Sequence, residues 1–80
     1  MKAFFLAWNK KREPLVWNGI DWRPGRTEPE QRRQAKLLEY AIAQENLNAM
    51  RCRFGCLDEI VVVPVASKKD MARLHEQRRR

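Results

Sequence analysis

The side chains best equipped to do chemistry in this sequence are its cations. Lys10, Lys11 and Arg12 are consecutive, and Arg23 and Arg26 flank Pro24-Gly25. Arg32, Arg33 and Lys36 follow soon after, and Lys68, Lys69, Arg73 and Arg78-Arg79-Arg80 crowd the last segment. Groups of this kind neutralise phosphates or an acidic protein surface, without reading bases. The most discriminating set is Arg26, Arg32, Arg33 and Lys36. Thr27-Glu28-Pro29-Glu30 beside them reads as a helix start, with Thr27 as cap, Glu30 closing a capping box and Pro29 in the first turn. Cations in the first turns oppose the helix dipole by about a few tenths of a kcal/mol. An anion bound at the free amides would reverse that sign. Pairs within the helix compete with this reading, because Glu28–Arg32 and Lys36–Glu39 stand at pairing separations.

Trp17 and Trp22 are the candidate anchors for a protein partner, since tryptophan is enriched at binding hot spots. Trp8, Trp17 and Trp22 could stack on unpaired bases, but burial in a core competes, and their spacing does not match an RNA-recognition sheet. Cys52, Cys56 and His75 supply three metal ligands where a closed zinc site needs four. Two buried thiols near a helix end are the expectation for the cysteines. His75 and Ser67 are the sole residues of their kinds, and neither stands in a nucleophile–base arrangement. With three glycines and no glycine-rich phosphate loop, the sequence carries no catalytic signature, cofactor motif or metal site.

These groups need elements to hold them. Ala3–Trp8 is an apolar run of strand length with Phe4, Leu6 and Trp8 on one face and Ala3, Phe5 and Ala7 on the other. Both faces are apolar, which predicts cover on both sides. Asn18-Gly19 between apolar runs predicts a two-residue hairpin pairing Trp17 with Ile20 and Leu15 with Trp22, all four on one face. A single helix from Thr27 to about residue 53 is expected, its stripe made by Leu37, Leu38, Ala41, Ile42 and Ala49, with Gly55 as a left-handed stop. Ile60–Val65 lacks polar alternation and reads as a buried central strand with Pro64 at its end or in a bulge. Ser67, with Asp70 after it, is expected to cap a basic C-terminal helix.

The predicted fold is α+β: a small, mostly antiparallel sheet in the order β-β-β-α-β-α, with one long helix packed on it. Residues 1–66 form the core domain, and 67–80 a basic helix or tail. Eighty residues allow one domain with a marginal core, and the 44% apolar and 34% charged composition confines that core to a few dense segments. The net charge of +7 is uneven, with basic ends around a near-neutral middle. No apolar run approaches the roughly 18–20 residues of a membrane span. The first apolar run is too short for a signal peptide, so a cytoplasmic setting is expected.

Two functions fit. The first is a small, basic, non-enzymatic regulator that associates with nucleic acid through phosphate contacts, in gene regulation or DNA transactions. Its alternative is a protein-binding accessory, of corepressor or inhibitor type and of the kind carried by mobile elements. That accessory would dock on a larger, acidic partner through the tryptophan hairpin and the basic helix. Homodimerisation is compatible with either.

Overall fold

The computed structural model describes residues 1–65, and the basic segment 67–80 with its Ser67 cap lies outside the described residues. The element order is β1 (Lys2–Trp8), β2 (Pro14–Trp17), β3 (Trp22–Pro24), α1 (Glu28–Gln34), β4 (Leu38–Glu39), α2 (Tyr40–Arg53) and β5 (Glu59–Val65). The class is α+β, with a curled antiparallel sheet and a long helix, α2, packed on it.

β1 is the central strand because it is apolar on both faces. Its outer half pairs with β2, Leu6 opposite Val16, and its first residues pair with β4, Ala3 opposite Leu38, along the same side. β5 takes the whole of the other side, from Lys2 opposite Val65 to Trp8 opposite Glu59. Ala3, Phe5 and Ala7 face α2 in a core with Trp17, Ala43, Met50 and Ile60. Phe4 and Leu6 face the other way with Val16, flanked by Trp8, Ala35, Val61, Val63 and Val65. The expected division of β1 into two apolar faces is therefore what the structure has. β5, by contrast, is not central: among the described residues it pairs only β1, and the central place goes to the strand whose two faces are both buried.

The hairpin keeps its turn residues but shifts its register. Trp17 lies opposite Trp22, and Leu15 opposite Pro24. The loop is Asn18–Asp21 rather than Asn18-Gly19 alone. The Asn18 side-chain oxygen accepts from the amides of Ile20 (2.8 Å) and Asp21 (2.6 Å), and Asn18 N donates to the Asp21 carbonyl at 3.0 Å. An asparagine that hydrogen-bonds its own following backbone makes a wider loop, and Gly19 supplies the positive φ of 99°. Ile20 is consequently at the tip, 79% exposed, and not paired with Trp17.

The helix expected over 27–53 is broken in two. Thr27 caps α1 as predicted, accepting from Glu30 N at 3.4 Å, while the Glu30 carboxylate accepts from Arg26 N at 3.2 Å. Ala35 ends α1 in an extended conformation. Lys36 N then donates to the Trp17 carbonyl at 2.8 Å, and Leu38–Glu39 joins β1. Tertiary hydrogen bonds outcompete a segment made of good helix formers. The restart at Tyr40 rotates the helix phase. The buried stripe is Ala43, Leu47, Met50 and Phe54, whereas Leu37, Ala41, Ile42 and Ala49 are exposed. α2 ends at Arg53, and Gly55 does not adopt a left-handed conformation.

Candidate functional site

The sheet brings an aromatic cluster to the hairpin end. Trp17 sits on β2 and Trp22 opposite it on β3, with ring centroids 5.3 Å apart. Phe54, just past α2, completes a triangle at 5.2 Å from Trp17 and 5.5 Å from Trp22, edge-on to the latter. Such tilted and edge-on arrangements are favoured by the ring quadrupoles. The Arg53 guanidinium lies 5.0 Å from the Phe54 ring centre and 5.8 Å from that of Trp17, within cation–π range. Trp17 is 9% exposed and packs in the core, while Trp22 is half-buried on a three-residue strand at the sheet edge. Trp22 Nε1 is buried and has no acceptor among the described residues. A donor left this way costs about 1–3 kcal/mol.

The hairpin tip abuts the α1–β4 connection. A Cβ on Gly19 would lie 3.5 Å from the Lys36 side chain, so the loop rests on that residue. Ile20 and Leu37, each adjacent in sequence to this contact, are both exposed, at 79% and 44%. Tyr40 and Ile42, at the start of α2, are exposed as well. Phe54 and Arg53 do not stand out in the sequence, and Leu37 reads there as part of a helical stripe. The signal that could have found Phe54 is the helix phase set by Met50, which places it one turn on along the same face.

Among the described residues the candidate cations are exposed and spread over several elements. Lys10, Lys11 and Arg12 form a turn in which Asn9 Oδ1 accepts from Lys11 N and Glu13 N, both at 3.0 Å, and Arg12 has a positive φ of 65°. Arg23 is on β3, and Arg26 precedes the α1 cap. Arg32 and Arg33 occupy the last turn of α1, because that helix has only seven residues. There they complement the dipole instead of opposing it, which removes the electrostatic ground for an anion site at Arg26, Arg32, Arg33 and Lys36. Arg32 Nη2 pairs with Glu28 at 2.8 Å, as the helical spacing predicts. The Lys36–Glu39 pair is not formed, since the chain between them is extended. Glu39 instead meets Lys2 Nζ at 2.7 Å and the Met1 amino group at 3.9 Å. The hydrogen bond and charge of Lys2, then the amino terminus, hold the Glu39 carboxyl below its ordinary pKa. A cleft of about 260 Å³ beside α1 is lined by Arg32, Glu28 and Gln31 together with Phe4, Val63, Pro64 and Val65, so Arg32 is the one cation in its lining among the described residues. Lys68, Lys69, Arg73, Arg78, Arg79 and Arg80 lie outside the described residues.

Cys52 and Cys56 are exposed free thiols, not buried ones. Cys52 falls off the Ala43–Met50–Phe54 face of α2, and Cys56 belongs to the turn after it. No helix among the described residues is long and apolar enough to cross a membrane. No family model, curated protein or solved structure matches the chain.

Proposed function

We propose that the protein is a protein-docking accessory, of corepressor or inhibitor type, that engages a larger acidic partner with the aromatic end of its hairpin. The observation that carries this reading is Ile20, 79% exposed at the tip of the hairpin that carries Trp17 and Trp22. The surroundings support the same reading. Trp17 and Trp22 stand on the strands that lead to this tip, the Lys36 side chain lies against neighbouring Gly19, and the Arg53 guanidinium lies over the Trp17 and Phe54 rings. A small apolar contact rimmed by cations is suited to an acidic protein surface. The dispersed cations support phosphate contact as a second reading, at Lys10, Lys11 and Arg12 above all, where the turn holds three charges together.

One experiment separates the two. The full chain is used as bait in cell lysate with and without nuclease, beside an Ile20→Asp variant, whose side chain is too exposed to be needed for folding. Docking predicts a partner that survives nuclease and is lost with Ile20→Asp. Phosphate contact predicts that nuclease or raised salt removes everything retained, with Ile20→Asp behaving as wild type.

A further inference from the structure

Cys52 and Cys56 are the two cysteines of the chain, four residues apart, and both are exposed free thiols. Buried thiols act as inert packing groups, whereas exposed ones can meet an oxidant. The local fold keeps the pair together. Cys52 lies in the last turn of α2, and Phe54 N still donates to the Met50 carbonyl at 2.9 Å. The chain then bends over the end of the helix, since a Cβ on Gly55 would lie 3.9 Å from the Arg51 carbonyl oxygen and 4.0 Å from that of Cys52. Leu57 N donates to the Phe54 carbonyl at 3.0 Å, and the Phe54 and Leu57 side chains pack against the core under α2. Cys56 is therefore held beside the turn that carries Cys52, anchored from both sides.

We propose that Cys52 and Cys56 form a reversible dithiol–disulfide site that exchanges with small disulfides of the glutathione class. One cysteine thiolate attacks the external disulfide, forms a mixed disulfide and releases one glutathione thiolate. The thiolate of the other cysteine then attacks the mixed disulfide at the protein sulfur and releases the second. Two protein thiols become one disulfide, one external disulfide becomes two thiols, and the two protons pass to the released glutathiones. Arg51 and Arg53 flank Cys52, and a chain of net charge +7 draws the anionic glutathione disulfide toward it. Closure has a geometric consequence. Cβ atoms four residues apart on a helix are about 5–6 Å from each other, and a disulfide needs about 3.5–4.5 Å. Segment 52–56 must therefore tighten by about 1–2 Å, which Gly55, with no side chain, permits. Arg53 and Phe54 lie inside the ring so closed. Phe54 stands 5.2 Å from Trp17 and 5.5 Å from Trp22, and the Arg53 guanidinium 5.0 Å from the Phe54 ring centre. Oxidation thus shifts the aromatic cluster, and reduction restores it.

The test is intact-mass measurement and peptide mapping of the full chain after equilibration in glutathione redox buffers, with indole N–H resonances recorded by NMR on the same samples. The expected product is a monomer lighter by two hydrogens, with Cys52 bonded to Cys56. The indole resonances of Trp17 and Trp22 should shift on oxidation and return with dithiothreitol, while that of Trp8, packed on the other face of the sheet, stays in place. Cys52→Ser and Cys56→Ser replace exposed side chains, so folding is retained. Each variant should carry one glutathione and keep the indole resonances of the reduced chain. Both readings are taken on the free protein and do not depend on a docking partner. Glutathione on both cysteines of the wild type without internal closure overturns the proposal, as does a disulfide found only between two chains. A closed wild type whose Trp17 and Trp22 resonances match the reduced chain overturns the link to the aromatic cluster.

Discussion

Gly25→Ala tests how tightly the hairpin is packed against α1. Gly25 is buried, yet its φ lies outside the left-handed region, so the backbone itself accepts alanine. What does not accept it is the space. An added Cβ would lie 2.7 Å from Val16 Cγ2 and 2.8 Å from Gln31 Cγ. Gln31 is long and half-buried and can move, although its Nε2 donates to the Gly25 carbonyl at 2.9 Å. Val16 is fully buried and β-branched, between Phe4, Leu6 and the chain at Gly25, and has no free rotamer to take up. Overpacking of this kind costs about 1–3 kcal/mol. Against it stands a gain of about 0.4–1 kcal/mol from the stiffer unfolded chain. The net expectation is a loss of about 1–2 kcal/mol, or roughly 4–16 °C in Tm at about 4–8 °C per kcal/mol for a domain of this size. Thermal unfolding by circular dichroism, with urea titration as a second measure, reads it. A Val16→Ala background should shrink the cost of Gly25→Ala, giving a coupling of about 0.5 kcal/mol or more. Refutation would be a Gly25→Ala protein as stable as wild type, or identical costs in the two backgrounds.

Three further outcomes are expected. Thr27→Ala should destabilise by about 0.5–1 kcal/mol, in the lower part of the range for a lost cap because the bond to Glu30 N is long at 3.4 Å; urea midpoints measure it. Phe5→Ala removes a ring only 2% exposed at the centre of the α2 face, at a cost of about 3–5 kcal/mol. That is a large part of the roughly 4–12 kcal/mol expected for a chain of this length, so the far-UV spectrum at 37 °C should show substantial unfolding. Glu39→Gln should reveal a small, pH-dependent contribution. The folded carboxyl has a lowered pKa, so its stabilisation is present above the unfolded pKa and lost as pH falls through the folded one. Wild type and variant should therefore differ at pH 7 and converge at strongly acidic pH in the same melting assay.

What was legible in the sequence was local. The two apolar faces of β1, the Thr27 cap and the Glu28–Arg32 pair each depend on residues a few positions apart. The hairpin was half legible: its place followed from Asn18-Gly19, but the Asn18 side chain widened the loop and moved Trp22 opposite Trp17. The break after α1 was not legible, because Ala35, Lys36 and Leu37 are good helix formers. Only the Trp17 carbonyl and the β4–β1 pairing, both distant in sequence, pull them straight. That one break undid several expectations together. It rotated the α2 stripe onto Ala43, Leu47 and Met50, sent Glu39 to Lys2, and moved Arg32 and Arg33 to the end of a short helix. For the candidate site, the two tryptophans were visible, whereas the Phe54 and Arg53 that complete the cluster depended on the correct helix phase.

The central place of β1 also governs how the chain can fold. β1 has its longest pairing with the last described strand, far away in sequence, Lys2 opposite Val65 and Trp8 opposite Glu59. Closing that pair joins distant parts of the chain, which raises contact order and slows folding. Until β5 arrives, Phe4, Phe5 and Leu6 lack the strand that flanks them. The early hairpin is then an exposed apolar surface of the sort chaperones recognise. A nascent chain of this protein should consequently stay protease-sensitive until β5 has emerged, and gain resistance in a single late step.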